Sequence, residues 1–418
     1  MIDMSTQTTE RDALLENFRK VRRDTELICT KLEIDDYQIQ SIPETSPPKW
    51  HIAHVTWFFE EFVLSYFKPD YKPFDPRFSF LFNSYYETVG KMQPRPKRGM
   101  LSRPTVEEVY RYRHYVNEHM LSLSMDISED LWDEFSARVI LGLHHEQQHQ
   151  ELLLMDIKHN LAVNPLKPAY NSHLVFKPSE RNVMNWIDQS GGVTEIGHEG
   201  EGFAFDNEKP RHQDLLHDHQ IASRLVTNEE YLAFIDDDGY SRPELWLADG
   251  WSLIGREGWQ HPLYWESIEG EWWQFTLSGM RTLEPHEPVC HLSYYEADAY
   301  ARWSGKRLPT EAELETILTE VDVEGNLLNH NVLHPKSGSG QWYGDVWEWT
   351  SSAYSPYPGF QPLEGSMGEY NGKFMCNQMV LRGGSCVTPQ HHMRATYRNF
   401  YYPHDRWVFA GLRLAGDL

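Results

Sequence analysis

The sequence predicts an α+β protein of two domains, a four-helix bundle followed by a domain of short strands, turns and capped helices. Three observations lead there. The chain has 418 residues, more than one hydrophobic core ordinarily organises. Apolar residues recur at helical intervals up to about residue 162, and that rhythm is gone by about residue 180. Between the two regimes, "VNPLKPAYNSHLVFKP" interrupts the periodicity with prolines. The expected layout is a helical domain over 8–165, a linker over 166–182 and a second domain over 183–418.

The first helix is read in "ERDALLENFRKVRRDTELICTKLE", where charges separate regularly spaced apolar residues. "PPKWHIAHVTWFFEEFVLSYF" begins with prolines, which suit a helix start, and continues with a thick apolar stripe. An irregular stretch follows, "KPDYKPFDPRFSFLFNSYYETVGKMQPRPKRGMLSRP", too long for a plain connector and of the kind that carries function. The third helix, "RPTVEEVYRYRHYVNEHMLSL", opens on a capping box of Thr105 with Glu108. The fourth, "SEDLWDEFSARVILGLHHEQQHQELLLMDIKHNLA", runs long without a proline. Four such helices predict a bundle whose core can hold a metal between facing helices. In the second domain, Thr227 with Glu230, Ser293 with Glu296 and Thr310 with Glu313 are further capping boxes.

A formal net charge of −24 disfavours nucleic acid or an anionic membrane surface as partner. Four scattered cysteines, Cys29, Cys290, Cys376 and Cys386, read as free thiols of a reducing compartment. The first residues carry no apolar signal-peptide core, and no apolar run reaches membrane-spanning length, so a cytoplasmic location is expected.

The densest chemistry lies in "LHHEQQHQELLLMDI", residues 143–157, which contains the H-E-x-x-H string His145-Glu146-Gln147-Gln148-His149. Two histidines four apart share one helix face and can share one ion. A zinc peptidase needs a third ligand downstream, and here only a proline-broken segment follows, with Glu180 as the first glutamate after Glu151. The second helix offers His51 and His54 in an apolar, aromatic segment. A histidine buried there needs a polar partner or a metal. All-imidazole ligation with open positions suits iron, copper or zinc.

Taken together, "AHVTWFFEEFVL", "LFNSYYETVG", "RPKRGMLSRPTV" and "HHEQQHQELLLMDI" resemble the N-terminal half of the sulfoxide synthases of ergothioneine biosynthesis. These are non-haem iron enzymes with a DinB-like four-helix bundle. "GGVTEIGHEGEGFAFDNEKPRH", "YYEADAYARWSGKRLPTEAELE", "YGDVWEWTSS" and "LRGGSC" resemble the formylglycine-generating-enzyme domain, a loop-rich fold of the C-type-lectin kind. "GEYNGKFMCNQMVLRGGSCVTP" followed by "TYRNFYYP" is similar to the sulfoxide synthases in particular.

The resemblance implies an Fe(II), O2-dependent oxidoreductase. It joins cysteine or γ-glutamylcysteine to the imidazole carbon of Nα-trimethylhistidine (hercynine) as a sulfoxide. Carried over residue by residue, it makes His54, His145 and His149 the iron ligands and Tyr85 and Tyr86 the catalytic tyrosines. Arg95 and Arg98 match the R-x-x-R that grips the thiol's carboxylate, a duty suited to planar guanidinium forks. Gln148, Asn399 and Phe400 match substrate-binding positions. Glu146 is left with a structural hydrogen bond. Relatives that use γ-glutamylcysteine carry an acidic residue where this chain has Tyr401, which favours free cysteine. Other readings stand beside this one: a selenoneine synthase using a selenosugar, an H-E-x-x-H zinc peptidase, and a non-enzymatic binding module.

Overall fold

The computed structural model describes residues 4–418 apart from Pro178, with side chains from Glu10 onward. The chain divides into two compact units, Met1–Asn164 and Pro165–Leu418.

The first unit is built on four long helices: α1 (Met4–Cys29), α2 (Pro48–Phe59), α3 (Val106–Asp126) and α4 (Trp132–Ala162). Every residue of α2 is buried, including the polar Lys49, His51, His54 and Thr56 among its apolar neighbours, and it packs against both α3 and α4. Its first turn is Pro48, where a missing N–H has no cost. The α3 start is fixed by the Thr105–Glu108 capping box.

Gly142 sets how closely α2 and α4 approach. A Cβ at that position would lie 2.7 Å from the Phe59 ring and 3.1 Å from that of Phe58. Without one, α4 comes flush against α2 just one turn before His145.

A π-helical turn, Glu60–Leu64, extends α2 and directs the Glu60 carboxylate inward. Glu60 accepts hydrogen bonds from the Tyr71 hydroxyl at 2.7 Å, the Phe74 N–H at 3.1 Å and the Tyr112 hydroxyl at 2.6 Å. The long connector between α2 and α3 is thereby tied to the bundle. It contains a short helix, Phe78–Phe82, and a 3-10 turn, Arg95–Met100. Trp50 Nε1–H donates to Leu81 O at 3.1 Å and holds the same connector against α2.

In the second unit, short strands form several small sheets. Trp186–Gln189 and Ala415–Asp417 flank His219–Ala222, both antiparallel, so the unit's first and last strands share one sheet on either side of it. A four-stranded sheet has the order Asn399–Tyr401, Met379–Arg382, Trp347–Ala353 and Ala410–Gly411. The three capping boxes read from the sequence begin the helices Asn228–Asp236, Tyr294–Trp303 and Glu311–Leu318. Buried ion pairs bind loops to this framework: Arg413 to Glu348, Arg398 to Glu311 and Arg382 to Glu315. Residues 166–182, expected as a linker, are held to this unit, with Asn171 N–H donating to Leu277 O at 2.9 Å and Arg281 covering the Phe176 ring. No helix among the described residues is long and apolar enough to cross a membrane.

Candidate metal centre

α2 and α4 bring three imidazoles together. One ring nitrogen each from His54, His145 and His149 lies within 4.8 Å of the others, and all three rings are buried. His54 and His145 face each other Nε2 to Nε2 at 3.2 Å. Cis ligands on one first-row cation with metal–nitrogen bonds of about 2.1 Å sit about 3.0–3.4 Å apart, so this spacing fits a shared ion. The donor chemistry fits as well. Burial, followed by repulsion from the neighbouring imidazoles, holds His54 and His149 well below the usual histidine range, and burial pushes His145 down to about 3. All three rings are therefore neutral near pH 7, as ligation requires.

Each ring has a defined backing. His54 Nδ1–H donates to the Phe82 carbonyl at 2.5 Å, which leaves its Nε2 lone pair directed at His145. The connector anchored by Glu60 thus fixes the tautomer of a ligand candidate. His54 also stacks on Trp50, with centroids 4.5 Å apart, and on Trp57 at 5.6 Å. His145 packs against Phe58 at 4.6 Å. His149 Nδ1 lies 2.8 Å from His51 Nδ1, and His51 Nε2 lies 2.9 Å from Asp156 Oδ2. Neither His51 nor Asp156 was assigned a role from sequence. The signal was present, because Asp156 follows His149 by two helical turns and so shares its face.

Glu146 points elsewhere. Fully buried, it accepts from Arg22 at 2.7 Å, from Arg113 at 2.6 Å and from the Thr25 hydroxyl at 2.7 Å. Arg22 also donates to Thr56 Oγ1 at 3.0 Å, so the cluster ties all four helices together. The glutamate of H-E-x-x-H is a structural anchor here, bonded to Arg22, Arg113 and Thr25.

Tyr85 and Tyr86 are in ring contact at 4.6 Å. Tyr86 is buried against Phe62 at 4.9 Å and Trp57 at 5.7 Å, one ring removed from His54, whereas Tyr85 is half-buried. The R-x-x-R pair divides: Arg95 is exposed and Arg98 is buried. The Arg98 guanidinium lies 3.4 Å over the Trp50 ring and donates to Ser46 Oγ and Ser84 Oγ at 3.0 Å each. Its Nε has no acceptor, and no ion pair joins it to a carboxylate among the described residues. Burial, with Arg95 adding to it, outweighs the attraction of the Asp156 carboxylate and pushes the guanidinium well below its ordinary value. Gln148 is half-buried on α4, one residue before His149.

Asn399 and Phe400 belong to the second unit, on the edge strand paired with Met379–Arg382. Phe400 stacks on Tyr354 with centroids 4.0 Å apart, and Asn399 Oδ1 accepts from the Phe400 N–H at 2.9 Å.

Comparison with known proteins agrees with this division. The DinB superfamily matches residues 17–153, and the sulfatase-modifying factor enzyme 1-like domain matches 173–319 and 335–418. Hercynine oxygenase from Mycolicibacterium thermoresistibile is 30% identical, with 93% of this chain and 91% of that protein covered. The Mycolicibacterium smegmatis protein of the same name is 29% identical, covering 93% and 95%. Ergothioneine biosynthesis protein 1 of Schizosaccharomyces pombe is 30% identical over 51% of this chain and 27% of its own length. With both domains present in order and similarity running along nearly its full length, this chain belongs to the hercynine oxygenase family.

Proposed function

We propose that the protein is an Fe(II), O2-dependent sulfoxide synthase of ergothioneine biosynthesis, joining cysteine or γ-glutamylcysteine to the imidazole carbon of hercynine. The observation that carries this reading is the convergence of His54, His145 and His149 as neutral donors in a member of this family. Ferrous iron held by three imidazoles supplies redox chemistry with O2, acidity for a thiol, and coordination positions left free for both. The stoichiometry closes: thiol, imidazole C–H and O2 give the sulfoxide and water, with one oxygen atom in each product.

The chain's own residues supply the remainder. Arg98, buried and with its Nε unbonded, is the candidate to take the carboxylate of the thiol substrate, with exposed Arg95 as its R-x-x-R partner. Tyr86, packed on Trp57 one ring removed from His54, and Tyr85, in ring contact with it, are the candidates for bringing a proton to the reacting atoms. Gln148, Asn399 and Phe400 are the candidates for holding hercynine, and the KM for hercynine in variants of each tests that assignment.

The deciding experiment is a donor panel of cysteine, γ-glutamylcysteine and a selenosugar, each with Fe(II) and hercynine, in air and without O2. A sulfoxide-linked product from cysteine, formed only in air, is expected. Product from the selenosugar alone would move the reading to selenoneine synthesis, and turnover restricted to γ-glutamylcysteine would overturn the inference from Tyr401.

Two variants probe the roles. Arg98→Met should raise the KM for the thiol by about 30-fold or more, the range for losing a desolvated charge pair. Its effect on Tm should be small, because relief of a buried guanidinium offsets the lost hydrogen bonds to Ser46 and Ser84 and the lost contact over Trp50. An unchanged KM removes Arg98 from substrate binding. The double variant Tyr85→Phe/Tyr86→Phe should cut sulfoxide formation and divert thiol to sulfinate. An unchanged product ratio, read by mass spectrometry, takes both tyrosines out of the mechanism.

A further inference from the structure

We infer that His51 and Asp156 form a positioning relay that makes His149 a stronger donor than His54. The inference rests on the metal reading above and assigns two residues that do not themselves touch the ion.

The proton arrangement follows from the contacts. Only an N–H can share 2.9 Å with a carboxylate oxygen, so His51 Nε2–H donates to Asp156 Oδ2. In that tautomer His51 presents a lone pair at Nδ1. The 2.8 Å contact with His149 Nδ1 therefore requires the hydrogen to be on His149. That places the free lone pair of His149 on Nε2, the atom available for a cation. Asp156 Oδ2 is itself held by the Ser46 N–H at 2.7 Å, and both Asp156 and His51 are buried, so the chain has little freedom to rearrange.

The backing of the ligands is consequently unequal. His54 donates its second N–H to a neutral backbone carbonyl. His149 donates to an imidazole that is backed by a buried carboxylate. Positive charge drawn onto His149 by a bound cation is stabilised through His51 by Asp156, and outer partners of this kind are worth roughly 10–100-fold in metal affinity. The arrangement extends the usual carboxylate–histidine pair by one ring, because Asp156 lies two turns beyond His149 on the same helix and needs a side chain from α2 to reach back.

The test uses the full-length apoprotein titrated with Co(II) as spectroscopic probe and with Fe(II) under anaerobic conditions. Asp156→Asn keeps an oxygen for Ser46 and His51 while removing the charge. It should weaken Co(II) about 10-fold and shift the visible d–d bands. His51→Phe removes the acceptor and should lose roughly 10–100-fold, whereas His51→Gln, whose amide oxygen can accept from His149, should recover part of that loss. The double variant Asp156→Asn/His51→Phe should lose little more metal affinity than His51→Phe alone, since in the relay Asp156 reaches His149 through His51. A structural effect of burial would instead add, and would leave the bands of the bound fraction unmoved. Unaltered affinity and spectrum in Asp156→Asn and His51→Phe overturn the relay alone. Wild-type protein that takes up no Co(II) overturns the metal reading and the relay with it.

Discussion

Replacing His54 with alanine is expected to abolish both stoichiometric iron binding and sulfoxide formation. The three donors come from two helices: α4 contributes His145 and His149, and His54 alone represents α2. Removing it leaves two imidazoles one turn apart on one helix, and loses the Nε2 that faces His145 at 3.2 Å. The loss should exceed the roughly 10–100-fold that outer partners contribute, because a direct ligand goes. Some stability goes too, since the Phe82 carbonyl is left without its donor, at a cost of about 1–3 kcal/mol. His54→Gln keeps more of the buried volume and separates lost metal from lost fold. His144→Ala, half-buried and on a different face of α4, is the control and should retain iron. Metal content per chain, activity and Tm are read together. Iron retained at one per chain with activity intact in His54→Gln would sink the assignment of His54 as a ligand.

How far the sequence disclosed this site depends on the range of the interactions involved. Helix starts at Thr105, Thr227, Ser293 and Thr310 were legible because a capping box is written within four residues. The pairing of His145 with His149 was legible for the same reason. His54 came from an argument about burial together with the family resemblance. The polar core was harder to see. Arg22 and Arg113 sit on helices rich in charged residues, where each reads as a solvated side chain, yet both are buried on one carboxylate. Gly142 carries no local signal within a long helix, and its role emerges only with Phe58 and Phe59 against it. The π-helical turn at Glu60 depends on Tyr71 and Tyr112, neither of which is local to it. In the second unit, strands as short as two residues pair across long separations, so register leaves almost no periodic trace.

Glu146→Gln is expected to destabilise the first unit by about 3–5 kcal/mol, the range for removing one partner of a buried ion pair. Arg22 and Arg113 both depend on this carboxylate. Among the described residues, the only other carboxylate bonded to the cluster is Glu26, which meets Arg113 Nε at 2.9 Å from a partly exposed position. A neutral amide leaves two buried guanidiniums with that single counter-ion. At roughly 2–4 °C per kcal/mol for a unit of this size, the fall in Tm should be on the order of 10 °C. The pH dependence has a definite sign. Burial raises the Glu146 carboxyl, but Arg113 and Arg22 outweigh it and hold it below the usual carboxylate range. Its contribution to stability is therefore complete above the unfolded value near 4.3 and is lost as pH falls through the lower folded value. Wild type and Glu146→Gln should differ most at neutral pH and converge in acid. The peptidase reading of H-E-x-x-H demands the opposite outcome, in which a glutamate freed for catalysis is replaced with little loss of stability and the activity disappears. Thermal unfolding of the two proteins at pH 7 decides between them: an unchanged Tm would mean that the arginines do not rely on Glu146 and would return it to the chemistry.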